Sequence, residues 1–543
     1  MPTDRSATSL RLPPLADRRI DWLLARRVEE TPDKVFLSFP AEKRTQTYAE
    51  MATAGTRHAG FFHAAGIKPG DHIGLMLSNG SAWTNAWFGA IGLGAVDVGI
   101  HHDLGGMLLE HQLRVAKVKA VICDAAAFER VLAVSENASG LVLELAFLAG
   151  AEDVAVAARA EQQGITLRYL HDAARAAPIA AASWAPQELM SIRFTSGTTG
   201  PAKAASLTMS QVAVWANYLV QLLQFSAQDR IYAPFPLHHH LASVMGVIGA
   251  LTAGGACIVD RQLSVSRFWS TAVAERATLG LILDPVVKML LGRPATPEDH
   301  VHTIRRFYIA RPNKDFERRF GAKLQTAYAL TEGSVLSYVP PGEQVEAPNC
   351  VGYPNPHFDI RVVDEDDEEV AAAGKQGEIV FRPLHPGLCM GSYFDNPAAT
   401  VNALRNFWFH TGDLGSFDTD GRLCFFERMG DTIRRKGVNI PSFHIEEVAM
   451  AYPGVKEVAA VGIPSEIGEF EIKLCVTEAG GSKVSPEGII RWMASQLPRD
   501  MVPRYLEIRD DFDRMITQKI LKRALKEEGM TSRTVVTDAW LEP

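Results

Sequence analysis

At 543 residues the chain is too long for one ordinary hydrophobic core, so two or more units are expected. With 47% hydrophobic and 22% charged residues it has the make-up of a globular enzyme, which excludes a disordered or low-complexity chain. A formal charge of −8 argues against a nucleic-acid partner gripped through its phosphates.

The first residues carry charges throughout (Asp4, Arg5, Arg11, Asp17, Arg18, Arg19) and lack the apolar centre of a signal peptide. Residues 46–67 predict a helix opened near Thr47, and 73–77 a buried strand. Ser81 is expected to cap a helix running through Trp87 and Phe88. A strand at 95–98, a helix at 107–115 and a strand at 119–123 follow. This alternation predicts layered α/β architecture. Residues 134–185 are alanine-rich and carry no readable pattern.

Residues 241–259 hold no charge and are nearly long enough to span a bilayer. Four glycines (Gly246, Gly249, Gly254, Gly255) punctuate them, so they read as a buried helix, a turn and a strand, and no integral membrane segment is expected. From residue 351 the texture turns β-rich, with strands at 359–363 and 378–381. A boundary at 429/430 would divide an N-terminal domain (1–429) from a C-terminal one (430–543). Beyond it come a basic loop at 434–437, helices at 446–451 and 487–497, strands at 458–461 and 473–477, and a last helix from Ile520. The six cysteines are scattered without a Cys-x-x-Cys pair, which points to a reducing, cytoplasmic setting rather than a disulfide framework or zinc site.

The most informative segment is Phe194-Thr195-Ser196-Gly197-Thr198-Thr199-Gly200-Pro201-Ala202-Lys203. Its hydroxyls donate hydrogen bonds, Gly197 and Gly200 let backbone N–H groups turn toward one anion, and Lys203 adds a mobile positive charge. The runs on either side, 190–194 and 204–208, both read as strands, and a helix begins only near Ser210. A strand–loop–strand phosphate cradle differs from the strand–loop–helix P-loop. It resembles the loop of the adenylate-forming superfamily of acyl-CoA synthetases, peptide-synthetase adenylation domains and luciferases.

Further segments follow in the order that superfamily expects. Pro236-Leu237-His238-His239 is similar to the family's Pro-Leu-Phe-His, which implies that His239 lies beside the acyl pocket with Trp215, Ala329 and Gly333. Three adjacent histidines point in different directions and no second His/Asp/Glu cluster is expected nearby, so metal binding there is not expected. Tyr328-Ala329-Leu330-Thr331-Glu332 resembles Tyr-Gly-x-Thr-Glu, in which Tyr packs on adenine, Thr contacts the α-phosphate and Glu helps hold Mg²⁺. The resemblance gives Thr198 a share in the metal as well. His410-Thr411-Gly412-Asp413 is similar to the segment whose Asp binds both ribose hydroxyls, and Arg428 to the Arg that reaches ribose or phosphate. Segments 377–379 and 393–400 match a structural part of the pattern. Near the end, 512–520 resembles the stretch bearing the catalytic lysine, which places that role on Lys519.

The resemblance covers nearly the whole chain. It implies a large N-terminal adenylate-forming domain of layered α/β sheets with a small β-rich subdomain, followed by a small mobile α+β lid. Segments 307–312, 316–321, 431–440 and 501–505 are most similar to the crotonobetaine/carnitine-CoA ligase branch. Ala202, Ala204 and Ala329 depart from the family's Pro, Gly and Gly, and Gly430 occupies the hinge position usually filled by Asp or Lys. The implied reaction is ATP-dependent activation of an organic, apolar carboxylic acid to an acyl-adenylate, then thioester formation with coenzyme A. In it Thr195, Ser196, Gly197, Thr198, Thr199, Gly200 and Lys203 hold phosphates, and Gly437 leaves room for the thiol arm. Dimers are common in the family, so a homodimer is among its implications. Loading of a carrier protein, luciferase-like oxygenation, and a protein that binds nucleotide or transfers acyl groups without adenylating stay open at this point.

Overall fold

The computed structural model describes residues 9–136, 141–195, 202–345, 347, 349–370, 372–429, 433–435, 438–440, 442–464, 470–497, 501–514 and 519–540. The chain divides into two compact units, Met1–Ile360 with Phe381–Phe409, and Arg361–Val380 with His410–Pro543.

The first unit holds two sheets. One runs in the order Thr166–Tyr169, Leu145–Ala149, Ala120–Asp124, His72–Met76, Val96–Gly99, Leu189–Thr195 (β1) and Lys203–Thr208 (β2). Every pair is parallel except the last, where β1 and β2 form a hairpin. The other sheet has a parallel centre, Lys323–Leu330 (β3), Arg306–Ile309, Leu279–Leu281, Arg230–Ala233, Ala256–Val259 and Val35–Phe39. Ser334–Tyr338 (β4) pairs antiparallel with β3 beside that centre. Parallel strands need cover on both faces, and the buried helices Ser81–Leu93 and Met209–Leu223 (α1) are part of it.

Local chemistry sets the helix starts. Thr47 and Glu50 make a reciprocal capping box at Tyr48–Ala64, and the Thr208 hydroxyl accepts from the Gln211 amide to open α1. Ser81 is not the cap expected of it. Gly80 is, and the Ser81 amide donates instead to Glu42 at 2.8 Å. The unpatterned stretch 134–185 holds the strands Leu145–Ala149 and Thr166–Tyr169 around the helix Val154–Gln162. The uncharged stretch 241–259 is a π-helical run, Leu241–Ile248, then Gly249–Ala253 and the strand Ala256–Val259. Among the described residues no helix is long and apolar enough to cross a membrane.

In the second unit Phe409–Phe417 (β5) and Leu423–Arg428 (β6) pair antiparallel. A four-stranded sheet, Val455–Pro464, Phe470–Glu478, Tyr505–Arg509 and Val535–Val536, packs with Ser442–Met450 and Pro486–Gln496 around its own core. In the basic segment expected as a loop, Arg434 and Arg435 belong to the strand Ile433–Arg435, paired antiparallel with Val438–Ile440, while residues 436–437 lie outside the described residues. The last helix is short, Lys522–Glu528.

One buried ion pair fixes the strand that leads into the candidate phosphate loop. Arg193 on β1 pairs with Asp97 of the neighbouring strand, with side chains 3% and 1% exposed. Trp87 Nε1 donates to Asp97 Oδ1 at 2.9 Å and Ser191 Oγ to Oδ2 at 3.2 Å. A charge so enclosed is tolerated only while its partner is present. Asp97→Asn, which leaves the Arg193 cation uncompensated, is therefore expected to cost about 3–5 kcal/mol of stability. Urea unfolding followed by tryptophan fluorescence measures this, and a loss below about 1 kcal/mol would show that the pair does not hold the sheet.

Candidate functional site

In open α/β sheets ligands gather beyond the carboxyl ends of the strands. The candidate residues of the first unit lie just past such ends. Thr195 closes β1 and Leu330 closes β3, so the candidate phosphate loop and the Thr331-Glu332 segment begin there. Arg230–Ala233 leads to the histidine run.

Thr195 pairs with Lys203 across the hairpin, so the loop starts and returns at one point. Ser196, Gly197, Thr198, Thr199 and Gly200 lie outside the described residues. At the return, His111 Nε2 donates to the Ala202 carbonyl at 2.9 Å, and Ala204 is buried with its carbonyl accepting from the Phe394 amide at 2.7 Å. Both alanines that depart from the family pattern are thus held by the chain around them. The Lys203 ammonium stands 5.0 Å from the centre of the Tyr393 ring.

Between β3 and β4 the chain turns through Thr331-Glu332-Gly333. A bulge falls between Tyr328 and Ala329, and Ser334 adopts φ 57°, a left-handed conformation uncommon for serine. Such strain persists where surroundings over-determine it. Here Gln211 Nε2 from α1 donates to the Thr331 carbonyl at 3.0 Å, the Met390 amide to the Glu332 carbonyl at 2.8 Å, and Ser334 Oγ to the Leu388 carbonyl at 3.3 Å. Glu332 and Tyr328 are buried, and Thr331 is half-buried. A Cβ on Gly333 would stand 2.6 Å from the Phe381 ring, so that glycine lets the turn lie against Phe381. The Tyr393 hydroxyl donates to Glu332 Oε1 at 3.0 Å.

The histidine run is pinned by Asn79, whose Oδ1 accepts from the Leu237 amide at 2.8 Å and whose Nδ2 donates to the Phe235 carbonyl at 2.8 Å. His239 is exposed and His240 buried, its ring stacked on Trp215 at 5.0 Å. The π-helical run that follows is a form common at functional sites. The expectation that no second cluster lies near these histidines is corrected: in space His101 packs its ring 4.8 Å from His238, beside His102 and Asp103. A Cβ on Gly99 would stand 2.7 Å from the His238 carbonyl, so this approach needs glycine. Burial, reinforced by neighbouring histidines and Arg193, holds His238 and His240 well below the usual imidazole range, which leaves both neutral at pH 7.

In the second unit Asp413 and Arg428 face each other across β5 and β6, with Arg428 Nε 2.8 Å from Asp413 Oδ1 and Nη1 donating to the Thr411 carbonyl at 2.7 Å. Asp413 is 1% exposed. Glu378, read from sequence as structural, steadies the strand just before it: Oε1 accepts from the Gly412 amide and Oε2 from His410 Nδ1, each at 2.8 Å. Lys519 is exposed beside the Arg514–Ile520 bridge that closes its loop. Gly430 and Gly437 lie outside the described residues.

The profile of the family described as AMP-binding enzyme matches residues 24–393, and that of the AMP-binding enzyme C-terminal domain matches 444–519. The chain belongs to the AMP-binding enzyme family. It is 27% identical over 505 residues to a crotonobetaine/carnitine–CoA ligase of Citrobacter koseri, spanning 91% of this chain and 95% of that one. A crotonobetaine/carnitine–CoA ligase of Salmonella paratyphi A is 26% identical over 501 residues, with the same shares of the two chains. The fold is that of ATP-bound MatB from Rhodopseudomonas palustris (TM-score 0.81, 23% identity, 94% of this chain and 99% of that one). It is also that of the anthranilate CoA ligase AuaEII in complex with anthranoyl-AMP (TM-score 0.82, 20% identity, 97% and 99%). The α/β architecture expected from the motifs agrees with these findings.

Tyr393, Glu378 and Gln211, to which the sequence assigns no catalytic or binding role, hold the candidate residues in place. Each acts on a distant segment, and no local pattern marks that. For the AMP-binding enzyme, Asp413→Ala is expected to weaken AMP binding about tenfold or more, the loss of a charge-assisted hydrogen bond. Titration calorimetry reads this directly, and an unchanged affinity would take Asp413 out of the site.

Proposed function

We propose that this enzyme is an AMP-forming acyl-CoA ligase that activates a small organic acid with ATP and passes the acyl group to coenzyme A. Membership of the AMP-binding enzyme family carries the reading most, and the names of the relatives support the ligase chemistry. The geometry of Lys203, Glu332 and Asp413 fits the parts such a reaction needs.

In the first half-reaction a carboxylate oxygen attacks the α-phosphorus of ATP, an O–P bond forms, and the bond to the β-phosphate breaks to release pyrophosphate. The acid is already ionised at neutral pH, so no base is required. The obstacle is repulsion between two anions. Lys203 and the loop hydroxyls would hold the phosphates, Tyr328 would pack on adenine, Asp413 and Arg428 would take the ribose, and Thr331 would contact the α-phosphate. Glu332 and Thr198, hard oxygen donors of the kind that suit magnesium, would hold an Mg²⁺ ion that neutralises phosphate charge when bound. Lys519 would bridge the carboxylate and the α-phosphate as charge develops.

In the second half-reaction the thiol sulfur attacks the acyl carbon, the C–O bond to AMP breaks, and the thiol proton passes to solvent. Lys519 has no part in this step. We place the domain boundary at 429/430 with Gly430 as the pivot, so that residues 430–543 rotate and Gly437 admits the thiol arm. His239, Trp215, Ala329 and Gly333 would border the acyl group. Crotonobetaine and carnitine, acids in the relatives' names, head the panel to be tried, with apolar acids beside them.

Two measurements test this reading. Thioester formation from a panel of acids, with ATP and coenzyme A both required and pyrophosphate released in equal amount, is the expected result; turnover with neither would overturn it. Lys519→Ala is expected to lose acyl-adenylate formation by more than a hundredfold while keeping thioester formation from supplied acyl-adenylate. Equal loss in both half-reactions would contradict the role given to Lys519.

A further inference from the structure

Tyr393 touches both charged groups on which the phosphate site depends. Its hydroxyl donates to Glu332 Oε1 at 3.0 Å, and its ring lies beneath the Lys203 ammonium at 5.0 Å. The side chain is buried, 5% exposed, as is Glu332 at 9%.

The backbone at Tyr393 is fixed just as firmly. Residues 391–394 run along β2, the strand that leaves the phosphate loop. The Ser206 amide donates to the Ser392 carbonyl at 3.0 Å, Ala205 and Tyr393 form an antiparallel bridge, and the Phe394 amide donates to the Ala204 carbonyl at 2.7 Å. The Tyr393 amide itself donates to Thr400 Oγ1 at 3.0 Å, and that hydroxyl donates to the Asn396 carbonyl at 2.9 Å. A rigid aromatic ring therefore stands between the lysine at one end of the loop and the carboxylate on the β3–β4 turn.

An ammonium and a carboxylate brought near one polyphosphate tend to neutralise each other instead of the ligand. Among the described residues no ion pair joins Lys203 to Glu332. The ring offers the lysine its electron-rich face, and the hydroxyl's single hydrogen bond to one carboxylate oxygen orients the carboxylate. We propose that Tyr393 is a positioning residue that keeps Lys203 and Glu332 apart and oriented, so that the lysine meets phosphate directly and the carboxylate meets it through Mg²⁺. The proposal rests on the ligase reading and assigns a role to a residue that reading leaves idle.

The test is equilibrium binding of a non-hydrolysable ATP analogue, measured by calorimetry with and without Mg²⁺. Tyr393→Phe keeps the ring and loses only the hydroxyl. Its affinity without Mg²⁺ is expected to stay within about twofold of the parent, while the gain on adding Mg²⁺ shrinks about tenfold, the scale of one hydrogen bond to a charged group. Glu332→Gln should lose the same gain, and Tyr393→Phe in that background should add no further loss. Tyr393→Leu, which removes the ring as well, should weaken binding in both conditions. Equal losses for Tyr393→Phe with and without Mg²⁺, or additive losses in the double variant, would reduce Tyr393 to a packing residue and overturn the proposal. An unmodified protein that binds the analogue in neither condition would overturn the ligase reading itself, whereas Mg²⁺-assisted binding that Tyr393→Phe leaves unmoved would overturn the role of Tyr393 alone.

Discussion

The pairing of Thr195 with Lys203 is the constraint on which the rest of the proposed phosphate site depends. A loop of hydroxyls and backbone amides holds an anion well only if its two ends are fixed, because donors that must reorganise forfeit much of what they contribute. Here the ends are fixed from three sides. The buried Arg193–Asp97 pair holds β1, the His111 ring holds Ala202, and residues 391–394 hold β2. The two strands that flank the loop are thus tied to their surroundings at both ends.

The chemistry proposed for the enzyme asks for that rigidity. Two anions must meet, and positive charge has to be waiting where they do, in surroundings of lower dielectric than water. Lys203 is held by a ring rather than by a carboxylate, which leaves its charge for a ligand. In the second unit Asp413 lies in β5, whose backbone at Gly412 is held by Glu378, with Arg428 across the strand pair. Both arrangements set a charge assigned to the proposed reaction on a strand and steady it with a neighbour from elsewhere in the sequence.

Much of this was legible in the sequence, for a physical reason. The hydroxyl-rich segment at 194–203 is local, so its residue types could be read directly, whereas the Thr331-Glu332 and Gly412-Asp413 segments were legible only through their resemblance to the family's motifs. The strand–loop–strand reading around Lys203 and the start of α1 depend on equally local cues. What depends on distant partners was not legible. Leu145–Ala149 is an alanine-containing apolar run that suits helix as well as strand, and Thr166–Tyr169 is half-exposed at an edge, so neither shows a clear period. The paired strands Ile433–Arg435 and Val438–Ile440 were hidden by Arg434-Arg435-Lys436, which reads as a solvated loop. In the structure Arg435 is 9% exposed, because Glu471 pairs with it at 2.7 Å. Ser81 has the chemistry of a cap, but Glu42 supplies the partner that its helix start needs.

The account's central claim is that Lys203 and Glu332 serve one polyphosphate from fixed positions. A crystal structure of the enzyme with a non-hydrolysable ATP analogue and Mg²⁺ tests it most directly. The account predicts a phosphate oxygen within hydrogen-bond distance of Lys203 Nζ, an Mg²⁺ ion ligated by Glu332, and the Tyr393 hydroxyl still on the same carboxylate. Phosphates bound elsewhere, or a Glu332 carboxylate turned away from the metal, would contradict it.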